Sequence, residues 1–305
     1  SAGFREIHYT ETPMNQDHPR VTIVTPTFNS QSYLGDLLEL VDAQKYDNIE
    51  HVIVDGASAD GTVDMIQKYA EDHNVNWISE PDESAVEATS KGLRMATGDI
   101  IVVVPSDDLI FPWTIQTVVD YFLSHPKIEV IHGDSVALDM PTGSWHLRLH
   151  KRFTYGYLAR TQCLVPPATF FRNHVLAGQD QLDPTLHHGG DYDWFLRVLR
   201  GRKVVNVREF LAIFRKRPGA VNLREGGGAD VERETQIARS RYIKTSGPAY
   251  WTLVRWDRIW GAIHRRIQII RMTRLSRKAG SASDGLNPKA PWRHFLNAYG
   301  EYRGP

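Results

Sequence analysis

Carboxylates stand where apolar runs of this sequence end. Asp107-Asp108 comes soon after Ile100-Ile-Val-Val-Val104, Asp55 closes Ile49-Glu-His-Val-Ile-Val54, and Asp191 and Asp193 flank Tyr192 at the head of an amphipathic stretch. Two adjacent carboxylates repel each other unless a cation or a hydrogen-bond network offsets the repulsion. Mg²⁺ and Mn²⁺ take oxygen ligands and typically sit between one or two carboxylates and the phosphates of a substrate. Asp107-Asp108 therefore reads as a place for a metal-bridged diphosphate, or as a solvated turn of the kind Asp favours after a strand. Asp55 can accept hydrogen bonds from a base or a sugar, and Asp55-Gly56 also fits a tight turn. Acids in a first helical turn are favoured by capping and by the helix dipole. Of Asp191 and Asp193, one is expected to be structural and the other a general base.

The elements that must position these residues follow from periodicity. Val21-Thr-Ile-Val-Thr25 is a β-branched run stopped by Pro26, and residues 32–44 carry Tyr33, Leu34, Leu37, Leu38 and Val41 at helical spacing. A second β-run at 49–54, a helical stripe from Thr62, a short strand at 76–79, a helix at 85–96 and the strand 100–104 come next. Alternating strands and helices predict a parallel sheet with right-handed crossovers. An unbroken apolar run such as 100–104 is a central strand covered on both faces. Ligands of such sheets bind beyond the carboxyl ends of the strands. Thr25-Pro-Thr-Phe-Asn29, Asp55-Gly56 and Pro105-Ser-Asp-Asp108 all fall on that edge. A helix at 113–123, a strand at 130–132, less regular sequence to about Asp183, a helix at 192–199 and a strand at 204–207 complete the pattern, and Glu225-Gly-Gly-Gly228 reads as a linker.

With these motifs in hand, the chain resembles the family 2 glycosyltransferases. The resemblance is carried by Val21-Thr-Ile-Val-Thr-Pro-Thr-Phe-Asn29, Asn48-Ile-Glu-His-Val-Ile-Val-Asp-Gly-Ala-Ser-Ala-Asp-Gly-Thr62, Trp77-Ile-Ser-Glu-Pro-Asp82, Lys91-Gly92 and Ser106-Asp-Asp108. It continues through Ala168-Thr-Phe-Phe-Arg172 and Gly190-Asp-Tyr-Asp-Trp-Phe-Leu-Arg197 to Leu211-Ala-Ile-Phe-Arg215, about two thirds of the chain. It implies an α/β GT-A fold, with a mostly parallel, Rossmann-like sheet flanked by helices. It also implies a nucleotide-diphosphate-sugar donor, with UDP the expected carrier, a divalent Mn²⁺ or Mg²⁺, and transfer with inversion to a saccharide or lipid-linked acceptor.

By position, the resemblance places Thr25 and Pro26 in the nucleotide pocket, Asp55 on the base, Lys91 near the nucleotide and Asp107 on the ribose and sugar side. Asp108 is implied as the metal ligand and Asp191 as the catalytic base. Two segments depart from the family pattern. Residues 82–92 lack its Gly, Tyr and Asn, which bears on base or sugar contacts, and Pro166-Pro167 stand where His-Gln is usual, which bears on the acceptor side. The processive-synthase signature Gln-x-x-Arg-Trp is missing, so one sugar per encounter is expected. A catalytically silent nucleotide-sugar or glycan binder on the same fold is the reading from another class.

The charge balance adds an organisational reading. Lys and Arg total 36 and so do Asp and Glu, yet the first 238 residues hold 22 basic and 33 acidic residues and residues 239–305 hold 14 and 3. The expected organisation is a leader over 1–20, a catalytic domain over 21–225 and a basic, mainly helical appendage over 226–305. Within the appendage, Trp256, Ile259, Trp260, Ile263, Ile267 and Ile270 form an apolar stripe with arginines beside it. Such a helix packs on the body, dimerises, or lies in an anionic membrane surface. No recognition motif for nucleic acid accompanies it. His187-His188 lacks partners at zinc-ligand spacing and reads as a loop or an acceptor contact. One cysteine, Cys163, no stretch approaching about 20 apolar residues, and no signal-peptide core in 1–20 lead to an expected cytoplasmic location, free or at the membrane's inner face.

Overall fold

The computed structural model describes residues 18–150, 153–217 and 227–242. Strands β1 (Val21–Thr27), β2 (Ile49–Asp55), β3 (Val75–Ser79) and β4 (Ile100–Val103) alternate with helices α1 (Gln31–Asp42), α2 (Thr62–Asp72) and α3 (Ala85–Met95). They pair in parallel in the order β3-β2-β1-β4. This is the crossover unit predicted from the periodicity. Every residue of β1 and β4 is buried, because helices or loops cover both faces of the sheet there.

Beyond β4 the sheet changes character. A two-residue strand β5 (Leu109–Ile110) and helix α4 (Thr114–Ser124) precede β6 (Val130–Asp139) and β7 (Trp145–Arg148). A single-turn helix α5 (Tyr155–Leu158), β8 (Thr169–Arg172), α6 (Gly190–Val198), β9 (Val204–Lys216) and α7 (Gly227–Tyr242) follow. β8 inserts antiparallel between β4 and β6, and β9 runs parallel to β6 and antiparallel to β5, so the sheet is mixed α/β with its parallel half first. Three extents differ from the sequence reading. The strand expected at 130–132 runs to Asp139, the region read as irregular up to Asp183 also supplies β7 and β8, and the strand expected at 204–207 runs on to Lys216. The antiparallel ladder with β5 and the continued pairing with β6 carry β9 past its first apolar residues. Periodicity alone holds no record of such distant partners.

Two apolar layers sandwich the sheet. One gathers α1, α4 and the sheet face around Ile23, Val102, Phe111 and Phe170, and the other gathers α3 and α6 around Val24, Val54, Phe171 and Phe195. Gly92 in α3 sits against Val24 of β1, where a side chain would overlap the valine methyl. Helix and sheet therefore approach closely at the Lys91-Gly92 pair. At the head of α6, a Cβ on Gly190 would lie 2.8 Å from Val86 of α3. The two helices meet there, and their amino-terminal ends open toward the same space.

The first helix of the region expected to be a separate basic appendage belongs to this packing. α7 lies on α6, with Ala238 fully buried. The stripe at 256–270 lies outside the described residues. No helix among the described residues is long and apolar enough to cross a membrane.

Candidate active site

The carboxyl ends of β1 and β4 and the amino ends of α3 and α6 enclose a cavity of about 460 Å³. That volume lies within the range of small-molecule and cofactor sites. Pro26, Thr27 and Phe28 line it from the end of β1, and Pro105, Ser106 and Asp107 line it from the turn after β4. Asp82 to Val86 form the α3 side, and Pro166 before β8, His187 and His188 before α6, and Gly190, Asp191 and Trp194 of α6 line it on the other side. Arg217 contributes from the end of β9. Phe28 is 57% exposed and lines the cavity.

Asp191 and Asp193 part company in this setting. The Asp191 carboxylate faces the cavity and accepts hydrogen bonds from Gln162 Nε2 at 3.1 and 3.3 Å and from its neighbour Tyr192 N at 2.7 Å. Its protein surroundings disfavour the charged form and push its pKa up to about 6, against the opposing pull of those donors. Asp193 points the other way, is 2% exposed, and meets Arg241 Nη1 at 2.9 Å and the Tyr242 hydroxyl at 3.4 Å. The geometry assigns the structural part to Asp193.

Helix α6 is pinned on several sides. Tyr192 donates its hydroxyl to Leu158 O at 2.8 Å and Trp194 its indole N–H to Gln179 O at 2.7 Å. The helix begins after Gly189, which has no side chain to cap it. Glu234 of α7 fills that role: its Oε2 accepts from His188 N at 2.7 Å and Gly189 N at 2.8 Å, and its charge complements the positive end of the helix dipole. Arg241 also bridges to Asp183 at 2.6 Å, tying α7 to the segment before α6.

The Asp107-Asp108 pair is likewise split. Asp107 opens onto the cavity and its Oδ2 lies 2.5 Å from Arg217 Nε. Asp108, expected as the metal ligand, is 3% exposed, lies outside the cavity lining, and accepts from Arg215 N at 2.9 Å. Arg215 is a fastener. Its buried guanidinium meets Asp36 Oδ2 at 2.7 Å, Tyr33 O at 2.9 Å and Asp107 O at 2.5 Å, so β9 holds the carboxylate turn against α1.

Of the remaining expected nucleotide-site residues, Pro26 lines the cavity and Thr25, Asp55 and Lys91 sit behind the wall. Asp55 is fully buried, with its oxygens taken by Ser58 Oγ at 2.5 Å, Ser58 N at 2.9 Å and Ser79 Oγ at 2.7 Å. It shapes a loop in which Asn29 and Ala57 hold left-handed backbone angles of 46° and 58° and Asn29 Oδ1 accepts from Ala59 N. Thr25 Oγ1 lies 3.0 Å from His51 Nε2 inside the sheet, whereas Pro26 reaches the cavity. Lys91 pairs with Glu80 at 2.8 Å and Glu87 at 3.1 Å and thereby fastens the segment that delivers Asp82 to the wall. Sequence reasoning missed Gln162, Glu234 and Arg217. Only Arg217 left a trace, two residues after Arg215 and so on the same side of an extended segment.

At the turn after β4 one carboxylate, Asp107, lines the cavity, and one or two carboxylates are what a hard cation bridging to substrate phosphates asks of a protein. Among the described residues, no three potential ligands gather into a metal cluster. The residues present fit a cation shared with a substrate and not a cation held by protein alone.

Comparison with known proteins bears on the fold and the family. Over 202 residues the chain is 27% identical to an uncharacterized glycosyltransferase of Mycobacterium tuberculosis, covering 64% of this chain and 75% of that protein. The structure of TarS residues 1–349 from S. aureus in complex with UDP-GlcNAc is similar at a TM-score of 0.60 and 19% identity. That match covers 72% of this chain and 65% of the TarS chain. The mannosyltransferase PcManGT from Pyrobaculum calidifontis, in complex with GDP-Man and Mn²⁺, is similar at a TM-score of 0.57 and 19% identity, over 94% of this chain and 81% of that one. The family model described as Glycosyl transferase family 2 matches residues 22–181, more than half of the chain, and the protein therefore belongs to that family.

Proposed function

We propose that the protein moves one sugar from a nucleotide-diphosphate sugar, UDP-linked in the first instance, to a hydroxyl of a saccharide or lipid-linked acceptor in polysaccharide or glycoconjugate biosynthesis. The observation that carries this reading is the meeting of Asp191 and Asp107, from two different elements, in one cavity at the carboxyl edge of the sheet. The TarS and PcManGT structures, solved with UDP-GlcNAc and with GDP-Man and Mn²⁺, support the donor class.

In this reading the nucleotide lies over the ends of β1 and β2. Phe28 offers the base an aromatic face, Pro26 lines the pocket, and Thr25 and Asp55 hold the strand ends beneath it. Lys91 keeps the Asp82 segment in place. Asp107 stands at the diphosphate, with Asp108 and Arg215 fixing its turn from behind. When bound there, a divalent Mn²⁺ or Mg²⁺ supplies charge neutralisation for the departing nucleoside diphosphate.

Asp191 accepts the proton of the acceptor hydroxyl as that oxygen attacks the anomeric carbon. A pKa near 6 leaves the carboxylate ionised at neutral pH while making it a stronger base than an exposed aspartate. Gln162 holds it by both oxygens, fixing its orientation. A single displacement with one base inverts the anomeric configuration, whereas a retaining path through two carboxylates at close range has no counterpart in this scheme.

Incubation with a panel of UDP- and GDP-sugars, Mn²⁺ or Mg²⁺ and mixed saccharide acceptors tests the proposal by release of nucleoside diphosphate and by NMR of the new linkage. Binding of donors without turnover across the panel defeats the transferase reading in favour of a silent binder. Retention of the anomeric configuration defeats the role given to Asp191.

A further inference from the structure

We propose that Arg217 binds the diphosphate of the donor directly, and that Asp107 is the latch that holds its guanidinium in place while the site is empty of donor; the inference rests on the donor class proposed above. Arg217 brings a permanent positive charge to the cavity wall. Its Nε lies 2.5 Å from Asp107 Oδ2, and the two side chains are 35% and 25% exposed, so the pair is open to a ligand and is not sealed in the core. The guanidinium also lies 5.8 Å from the centre of the Tyr33 ring, which supports it from a second side. Asp107 takes Nε, and among the described residues no acceptor faces Nη1 or Nη2.

Arg215, two residues earlier, shows the contrast. Its guanidinium is spent on Asp36 and on the carbonyls of Tyr33, Ser106 and Asp107, with no exposure at all. One arginine builds the wall and the next lines the cavity. A planar guanidinium matches two oxygens of a phosphate, which an ammonium cannot do. Asp107 by itself would repel a diphosphate. Arg217 offsets that repulsion, and a diphosphate with more charge than one carboxylate competes for the guanidinium and frees Asp107 for a cation. Part of the diphosphate's affinity is then independent of metal.

Calorimetry of the full chain tests this with UDP, UMP, GDP and GMP, in EDTA and in Mn²⁺, for the wild type, Arg217→Ala and Arg217→Lys, each checked for an unchanged melting temperature. In EDTA the wild type is expected to bind the diphosphate of its preferred base about tenfold or more tighter than the monophosphate. Arg217→Ala brings that ratio close to one, and Arg217→Lys keeps part of it. A ratio that Arg217→Ala leaves unchanged overturns the inference, as does a wild type that distinguishes the two nucleotides only with Mn²⁺ present. Failure of the wild type to bind any of the four nucleotides in either condition is a different result, because it removes the donor class itself.

Discussion

Arg241 holds Asp193 by a contact of 2.9 Å between Nη1 and Oδ1, and that contact decides which acid of the Asp-Tyr-Asp segment faces the cavity. Two residues apart on one helical turn, Asp191 and Asp193 cannot share a face. With Asp193 bound to α7, Asp191 is turned toward Gln162 and the cavity.

Asp191→Asn is expected to lower transfer by about a thousandfold, within the range of a lost general base, while donor affinity stays within about twofold. Turnover in single-turnover kinetics together with donor binding by calorimetry checks it. Retained turnover with intact binding would move the base elsewhere.

The pH profile follows from the same residue. The base works ionised, so kcat/KM should fall as pH drops through about 6 and level off above it. Gln162 donates to the charged form, so Gln162→Ala should move this limb to higher pH. Stability has the opposite sign. With a folded pKa above the unfolded one, the contribution favouring the fold is present below about pH 4 and lost as pH rises through about 6. Asp191→Asn should therefore raise the melting temperature at pH 8 by a few degrees and leave it near the wild-type value at pH 4.

Arg241→Ala leaves the buried Asp193 carboxylate without its cation. A loss of about 2 kcal/mol is expected, below the full penalty of a broken buried pair because Arg241 itself is 37% exposed. Urea unfolding reads the loss, and adding Asp193→Asn should restore a large part of it. Additive effects of the two changes would show that the contact contributes little.

Glu234→Ala removes the acceptor of His188 N and Gly189 N and should destabilise the fold by about 1–2 kcal/mol, with kcat lowered more than donor affinity because Asp191 rides on the same helix. Glu234→Gln keeps an acceptor oxygen and should recover most of kcat. Equal defects in both variants would make the charge, not the hydrogen bonds, the important feature.

Asp107→Asn should abolish any strengthening of donor binding by Mn²⁺ and spare the binding measured in EDTA. Calorimetry in the two conditions separates these parts. A variant that still responds fully to Mn²⁺ would place the cation elsewhere.

The order of strands and helices through β4, the edge on which the polar residues collect, and the segment carrying the candidate base were all legible in the sequence. Each is written in local periodicity: β-branched runs make β1, β2 and β4, a spacing of three and four residues makes the helices, and the parallel topology puts their following loops on one edge. What each acid does there was not legible. Asp107 and Asp108 are neighbours in the chain, and so nearly are Asp191 and Asp193. Their different surroundings come from Arg215 on β9 and Arg217 just past its end, more than 100 residues after the first pair, and from Arg241 on α7, about 50 after the second. Burial and ion pairing are set by whatever the fold brings alongside, and a local pattern holds no information about partners so far along the chain. Only the tertiary structure chose the carboxylates that meet the cavity and those that hold its walls.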